Sequence, residues 1–238
     1  DAEQTCVVLC VCRLLGRSIA GEPSGDLHGG KLMQQIAAND PEAEFRCTGG
    51  DTMAQIAGPG RLKYHYKEMS FFGFVQVALN LRTIFSQIDE VKSDIASFNP
   101  DVVILIDYPA FNLRIAKWAK SRGIKVYYYI APKVWAWKER RVKKLRRYVD
   151  RLYTIFPFET EYFRRHGIEP HFCGNPLVDD IALRGASMPT REALVAECGL
   201  DNRPIVALLA GSRTSEIKAN LKDMAAIAER MPEYQFVV

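Results

Sequence analysis

What this 238-residue sequence lacks already narrows its function. It has no run of 18 or more apolar residues, so the sequence offers no ordinary membrane-spanning helix. Its six cysteines include no Cys-x-x-Cys pair. Cys6, Cys10 and Cys12 crowd the start without His or Cys partners at ligand spacing, and Cys47, Cys173 and Cys198 stand alone. That pattern argues against a metal site and a disulfide framework, and for reduced thiols in a cytosolic setting. The apolar stretch TCVVLCVCRLL (Thr5–Leu15) has no basic segment before it and no small-residue cleavage site after it, so it is not read as a secretory signal. There is no Walker loop, no Gly-x-Gly-x-x-Gly, no internal repeat and no low-complexity tract. No charge sign dominates either. Thirty-two Lys and Arg face 28 Asp and Glu, a net charge of +4 that does not argue for a nucleic-acid partner.

What is present alternates between strand and helix. DVVILI (101–106), KVYYYIA (125–131), PIVALLA (204–210) and YQFVV (234–238) are continuous apolar runs, as in strands covered on both faces. A weaker strand is expected just before AGEPSGD. Helical patterns lie between them. DLHGGKLMQQIAAND places Leu32, Met33, Ile36 and Ala37 on one face. FNLRIAKWAKSRG stops at Gly123. SEIKANLKDMAAIAERM spaces Ile217, Leu221, Met224, Ala228 and Met231 by fours and threes. The class is therefore α/β with a mainly parallel sheet. A break rich in turn residues lies near Gly185–Arg203. The strand–helix–strand after it is too small to cover its own sheet, so a second domain is expected to begin there and to be cut short.

Ligands of open α/β sheets bind at the carboxyl ends of the strands, which nominates four loops. In AGEPSGDLHGG (Ala20–Gly30), the glycines suit close approach of a ligand, Ser24 or Asp26 can cap the next helix, and Glu22 and His28 are surplus to capping. In IDYPAFN, Asp107 is either a cap or a general base. In the segment after APKVWAW, KERRVKKLRRYVD packs seven basic residues into thirteen positions. Val142, Leu145, Val149 and Leu152 fall there at helical spacing, so it is either a solvated amphipathic helix or an anion-binding face. In LAGSRTSEIK, a strand end, Gly211 and a helix start suit a phosphate, with Arg213 adding charge. Separately, MSFFGFVQVALNLRTIF is dense in large apolar residues, as in either a core helix or an interfacial one.

Taken in order, AGEPSGDLHG, FFGFVQV, DVVILIDYPAFNLRIAK, YYYIAPKVWAWKERRVKKL, IFPFETEYF, FCGNPLVD and LLAGSRTSEI resemble the lipid-A-disaccharide synthase family, inverting glycosyltransferases of the GT-B fold. The resemblance covers residues 19–238. It implies a Rossmann-like parallel sheet with helices on both faces as the N-terminal half of a GT-B fold, plus the first βαβ of a second Rossmann-like domain. Residues 1–18 would be an atypical extension, 19–200 the acceptor-binding domain, and 203–238 the truncated start of the UDP-sugar donor domain.

The resemblance further implies transfer from UDP-2,3-diacylglucosamine to 2,3-diacylglucosamine 1-phosphate (lipid X), giving the β-1,6-linked disaccharide phosphate and UDP. It implies no metal and no cofactor, no nucleic acid, and peripheral attachment to inner-membrane phospholipids on the cytoplasmic face in a Gram-negative bacterium. A homodimer is the assembly it allows for the full-length protein. Asp107 matches the general base and Glu22 a second essential acid. Gly211, Ser212, Arg213 and Glu216 match the donor loop, and Ser24, Gly25, Asp26, His28 and Asn112 fall to the acceptor side. Phe71, Phe72, Phe74, Val75 and Leu79 match an apolar surface toward the bilayer and acyl chains. Arg140, Arg141 and Lys144 would meet a phosphate or anionic lipid. Two alternatives stay open: another UDP-sugar enzyme of the same fold (a polyprenyl-acceptor transferase or an epimerase), or, for this chain alone, an inactive membrane- or lipid-binding module.

Overall fold

The computed structural model describes residues 7–12, 15–19, 23–69, 81–106, 108–185, 187–211 and 214–238. They form two compact units, divided between Val178 and Asp179. Segment 179–200 thus groups with the second unit.

The first unit is built on one sheet. Its elements run β1 (Val7–Cys12), β2 (Leu15–Ile19), α1 (Pro23–Asn39), β3 (Glu44–Gly49), α2 (Asp51–Ala57), β4 (Leu62–His65), the single turn α3 (Tyr66–Met69) and α4 (Leu81–Phe98). There follow β5 (Val102–Ile106), α5 (Pro109–Ser121), β6 (Lys125–Tyr129), a 3₁₀ turn (Glu139–Arg141), α6 (Val142–Tyr148), β7 (Arg151–Thr154), α7 (Pro157–Arg165) and β8 (His171–Phe172). The helix α8 (Pro176–Gly185) runs across the division. The strand order is β4-β3-β1-β2-β5-β6-β7-β8. Every neighbouring pair is parallel except those made by β1, which runs against β2, β3 and β5.

The strand β5 shows why the sheet is covered on both sides. All five of its residues are buried. Val103 and Leu105 pack with α4, α5 and α6, while Val102, Ile104 and Ile106 pack with α1, α2 and β3. Period-2 alternation thus feeds two cores on opposite faces. Each such side chain contributes roughly 2 kcal/mol of burial as an upper estimate. The helix α4 supplies one core through Ile84, Ile88, Val91 and Ile95, a 4-3-4 stripe that is buried throughout. The helix α1 supplies the other through Met33, with Leu32, Ile36 and Ala37 packed beside it. The helix α5 begins with Pro at its first position and ends where Gly123 takes φ +76°.

The second unit holds α9 (Arg191–Glu197), β9 (Ile205–Ala207), α10 (Thr214–Ala228) and β10 (Gln235–Val237). The strands β9 and β10 pair in parallel, in register from Ile205–Gln235 to Ala207–Val237, with α10 as the crossover. The stripe Ile217, Leu221, Met224, Ala228 and Met231 is half-buried, and most of the rest of α10 is exposed. A mainly parallel α/β sheet with helices on both faces, followed by the first βαβ of a second one, is therefore what the chain forms.

Two strand expectations change in detail. The run PIVALLA gives a strand of three residues, and β6 alternates buried and half-exposed positions instead of being buried throughout. The expected long basic helix is also broken. The helix α6 stops at Tyr148, Val149 turns extended (φ −110°, ψ 127°), and Leu152 is buried in β7. Helical spacing continued across a helix–strand junction because both elements pack on the same core.

Candidate active site at the carboxyl ends of the strands

The parallel strands deliver their carboxyl ends to one edge. There β5 gives way to α5 in a tight turn. Asp107 lies outside the described residues, but both of its neighbours are defined. Ile106 ends the strand, and Tyr108 adopts the left-handed conformation (φ 39°, ψ 62°) directly before Pro109. A non-glycine residue there costs about 1–2 kcal/mol. Two contacts hold it. The Tyr108 ring packs on Phe111 with centroids 6.0 Å apart. Asn112, fully buried, donates from Nδ2 to the Ile106 carbonyl at 3.1 Å. Asn112 therefore latches the strand end to the first turn of α5. With no exposed surface it positions the turn, and offers an acceptor nothing to touch in this conformation. The neighbouring strand behaves alike. Ile106 sits opposite Tyr129, and Ile130 follows at φ 60°, a costly value for a β-branched residue.

Of the AGEPSGDLHGG loop, residues 20–22 lie outside the described set, Glu22 among them. Ser24 and Gly25 sit in the first turn of α1, where Gly25 is buried. Asp26 caps a helix, though not its own. Its carboxylate accepts from the N–H groups of Gly50 (2.7 Å), Thr52 (3.0 Å) and Met53 (3.1 Å), closing the N-terminus of α2. The glycines also serve α2. A Cβ at Gly29 would lie 2.7 Å from Met53 Sδ, and one at Gly30 would lie 2.6 Å from Thr52 Cγ2. The expectation that they admit a ligand is corrected at these two positions: they admit a helix. His28 is half-buried, and its Nδ1 has no partner among the described residues. Burial, then the charge of Lys31, lowers its pKa, so the ring is held neutral. The pairs Gly16–Val102 and Arg17–Val103 set β2 beside β5 in parallel. The loops after β2 and β5 thus leave adjacent strands.

In the second unit, Gly211 takes φ 118°, and a Cβ there would approach Glu216 Cβ to 2.7 Å and its Oε2 to 2.8 Å. Glycine is required on both counts. Glu216, in the first turn of α10, folds against this turn, and Asn220 Nδ2 donates to the Ala210 carbonyl at 3.1 Å. Ser212 and Arg213 lie outside the described residues, as do Phe71, Phe72, Phe74, Val75 and Leu79.

The basic segment is divided between two grooves. Arg141 and Lys144 face α5, where they line a groove of about 450 Å³ with Pro109, Arg114, Lys117 and Tyr148. Arg140 lines a separate groove of about 490 Å³ with Lys143, Arg146, Arg165 and His166. Arg114 and Lys117 were missed from sequence. Their signal was there, since both pairs, Arg114/Lys117 and Arg141/Lys144, share an i,i+3 spacing that puts each on one helix face. Also missed was the Glu of PFE. Glu159 is fully buried and accepts from the N–H groups of Ile155 and Phe156 at 3.2 Å each, and from Trp135 Nε1 at 3.1 Å. It ties the WAW loop to the start of α7. Trp135 and Trp137 remain 39% and 43% exposed, which places them outside the core.

Comparison with known proteins identifies the family. The family described as lipid-A-disaccharide synthetase matches residues 18–237. A lipid-A-disaccharide synthase of Geobacter metallireducens is 40% identical over 225 residues, covering 92% of this chain and 57% of the relative. Lipid-A-disaccharide synthase 1 of Legionella pneumophila (strain Lens) is 36% identical over 226 residues, with the same coverage. That of Coxiella burnetii is 35% identical over 229 residues, covering 92% and 58%. The chain thus spans a little over half the length of these curated relatives. With the match running through nearly the whole sequence, this chain belongs to the lipid-A-disaccharide synthetase family.

Proposed function

We propose that the protein to which this chain belongs is an inverting glycosyltransferase that joins UDP-2,3-diacylglucosamine to 2,3-diacylglucosamine 1-phosphate, in lipid A biosynthesis. The observation that carries the proposal is family membership across residues 18–237. Relatives named for this reaction weigh against a polyprenyl-acceptor transferase or an epimerase.

In this reading Asp107 takes the proton from the acceptor 6-hydroxyl. That oxygen attacks the anomeric carbon of the donor from the face opposite UDP. The bond to the UDP oxygen breaks, and the configuration inverts to the β-1,6 linkage. Asn112 and Tyr108 hold the turn that carries the base, and Glu22 supports the acceptor from the loop after β2. Ser24 and Gly25, at the start of α1, line the acceptor side. In the donor domain, Gly211 lets the loop turn, and Ser212, Arg213 and the free N–H groups of α10 stabilise charge on the departing UDP. The first unit acts as acceptor domain, and the second opens the donor domain. Among the described residues, no helix is long and apolar enough to cross a membrane. Attachment is assigned to the surface of the inner membrane on its cytoplasmic side, with Phe71, Phe72, Phe74, Val75 and Leu79 toward the acyl chains.

The test uses the full-length protein with both acylated substrates. Asp107→Asn should lower kcat by at least about a thousandfold while leaving the melting curve in place. Near-normal turnover by that variant would remove Asp107 from the role of base. UDP-N-acetylglucosamine without acyl chains should turn over poorly, and efficient use of it would favour another UDP-sugar enzyme.

A further inference from the structure

The groove between α5 and α6 holds four cations, Arg114, Lys117, Arg141 and Lys144, and none has a carboxylate partner among the described residues. Among the described residues, its lining contributes no acid. The two acids of the basic segment are already committed: Glu139 lies 3.2 Å from His166 Nε2, and Asp150 is paired with Lys120 and accepts from the Val126 N–H at 2.9 Å. Four like charges around one concavity repel one another unless an anion joins them. Burial pulls the Arg141 guanidinium below its usual pKa, against a smaller opposing interaction with Tyr128.

Two of the four cations lie over exposed aromatic rings. Arg114 lies over the ring of Phe85, 4.8 Å from its centroid, and Phe85 is 47% exposed. Arg141 lies 5.3 Å and Lys138 3.9 Å from the centroid of the exposed Trp137 ring. The groove opens beside Pro109 and Ala110, next to the turn that carries Asp107. Aromatic rings beside cations, around a groove whose described lining is basic, are the composition that membrane–water interfaces select.

We propose that this groove is a headgroup site for anionic phospholipids. One lipid phosphate sits among Arg114, Lys117, Arg141 and Lys144, and Phe85 and Trp137 rest at the interface on either side. The site rests on the peripheral-membrane reading above and adds a second, electrostatic point of attachment to the apolar segment 71–79. It would set the β5–α5 turn at the bilayer surface, where a diacylated acceptor resides. The groove on the other face of α6 also holds cations, but Glu139 lines it, and Glu139 Oε1 lies 3.2 Å from His166 Nε2. It has an internal counter-charge that the first groove lacks among the described residues.

The test is partition of the 238-residue chain onto vesicles of phosphatidylcholine with and without phosphatidylglycerol, by co-sedimentation. Binding should require phosphatidylglycerol. Each cation near such a surface contributes roughly fivefold, so Lys117→Gln with Lys144→Gln should weaken partition by roughly 25-fold. The matched pair Lys143→Gln with Arg146→Gln, in the other groove, should cost less than about twofold. Circular dichroism melts check that both pairs fold. Equal losses from the two pairs would show diffuse charge attraction and overturn the site. Partition indifferent to phosphatidylglycerol would overturn it as well. If the Lys117/Lys144 pair instead abolishes binding of inorganic phosphate and leaves vesicle partition unchanged, the groove serves a soluble phosphate and the lipid assignment fails. No turnover is measured, so failure here is separate from failure of the glycosyltransferase reading.

Discussion

Asp26 offers a sharp test of how the glycine-rich loop is used. Its carboxylate is 5% exposed and accepts three backbone N–H bonds from the start of α2. Removing it in Asp26→Ala takes away a helix cap, worth about 1 kcal/mol, and a charge at the positive end of the helix, worth up to about 1 kcal/mol. It also leaves the Gly50 N–H group without its carboxylate acceptor in a buried setting, at about 1 kcal/mol or more. The sum is roughly 3 kcal/mol. In a unit of this size that lowers the melting temperature by about 10 °C. Asp26→Asn should cost about half as much, because the amide oxygen still accepts while the amide nitrogen faces an N–H donor. The assay is thermal and urea unfolding of the purified chain, followed by circular dichroism. If Asp26→Ala unfolds within about 1 kcal/mol of the parent sequence, the capping role is wrong. Asp26 would then return to the acceptor-binding group suggested by its loop.

Three further outcomes are expected. His28 has a folded pKa below its ordinary 6.5 because of burial and Lys31. The unfolded chain therefore takes the proton first, and the contribution of His28 to stability is full above pH 6.5 and falls as the pH drops below it. His28→Gln should flatten that part of the difference in urea midpoint between pH 7.5 and 5.5 (pH values about a unit on either side), and an unchanged slope would refute it. Gly30→Ala should destabilise by about 1–3 kcal/mol and by more than Gly29→Ala, because Thr52 is β-branched whereas the Met53 side chain can swing aside. Trp135→Phe should cost about 1 kcal/mol in urea unfolding, by removing the indole N–H from the buried Glu159 carboxylate. No change would mean that the two backbone donors suffice.

The sheet was legible where strands are long and uniformly apolar. DVVILI could be read because β5 is covered on both faces, and α1, α5 and α10 because their stripes and stops agree with their periods. The strands β3, β4, β7 and β8 were not legible. EFRCTG and RLYT mix polar and apolar residues, as edge-ward strands with one wet face do, and β8 has two residues. Within the candidate site, residue types could be read but not their partners. Glycine at 29 and 30 signals close approach of something. Whether that is a ligand or a helix depends on α2, which is more than twenty residues away in the chain. An Asp in a helical first turn signals a cap, but no local pattern says that it caps another helix. Arg140 and Arg141 are adjacent in sequence and part into different grooves because successive residues on a 3₁₀ turn point about 120° apart.

The ends of the neighbouring strands β5 and β6 both carry costly backbone. Tyr108 and Ile130 both take left-handed conformations that glycine would adopt freely, at about 1–2 kcal/mol each. Glycine would relieve this cost, yet it would also loosen the turn. Tyr108 brings a ring that packs on Phe111, and Ile130 a side chain that packs on the core shared by α1 and α2. The Asn112–Ile106 bond then closes the β5 turn from inside. Strain retained at two neighbouring strand ends, over-determined by packing on both sides of the sheet, fixes the direction in which the chain leaves β5 and β6. A general base needs that fixity more than it needs a perturbed environment. A carboxylate of ordinary basicity assists proton transfer when it is held within hydrogen-bonding reach of one hydroxyl, and a displacement of about 1 Å is enough to lose about a hundredfold in rate. In the proposed reading of Asp107 as the base, Tyr108 and Asn112 on the flanking turn are the residues that supply such fixity.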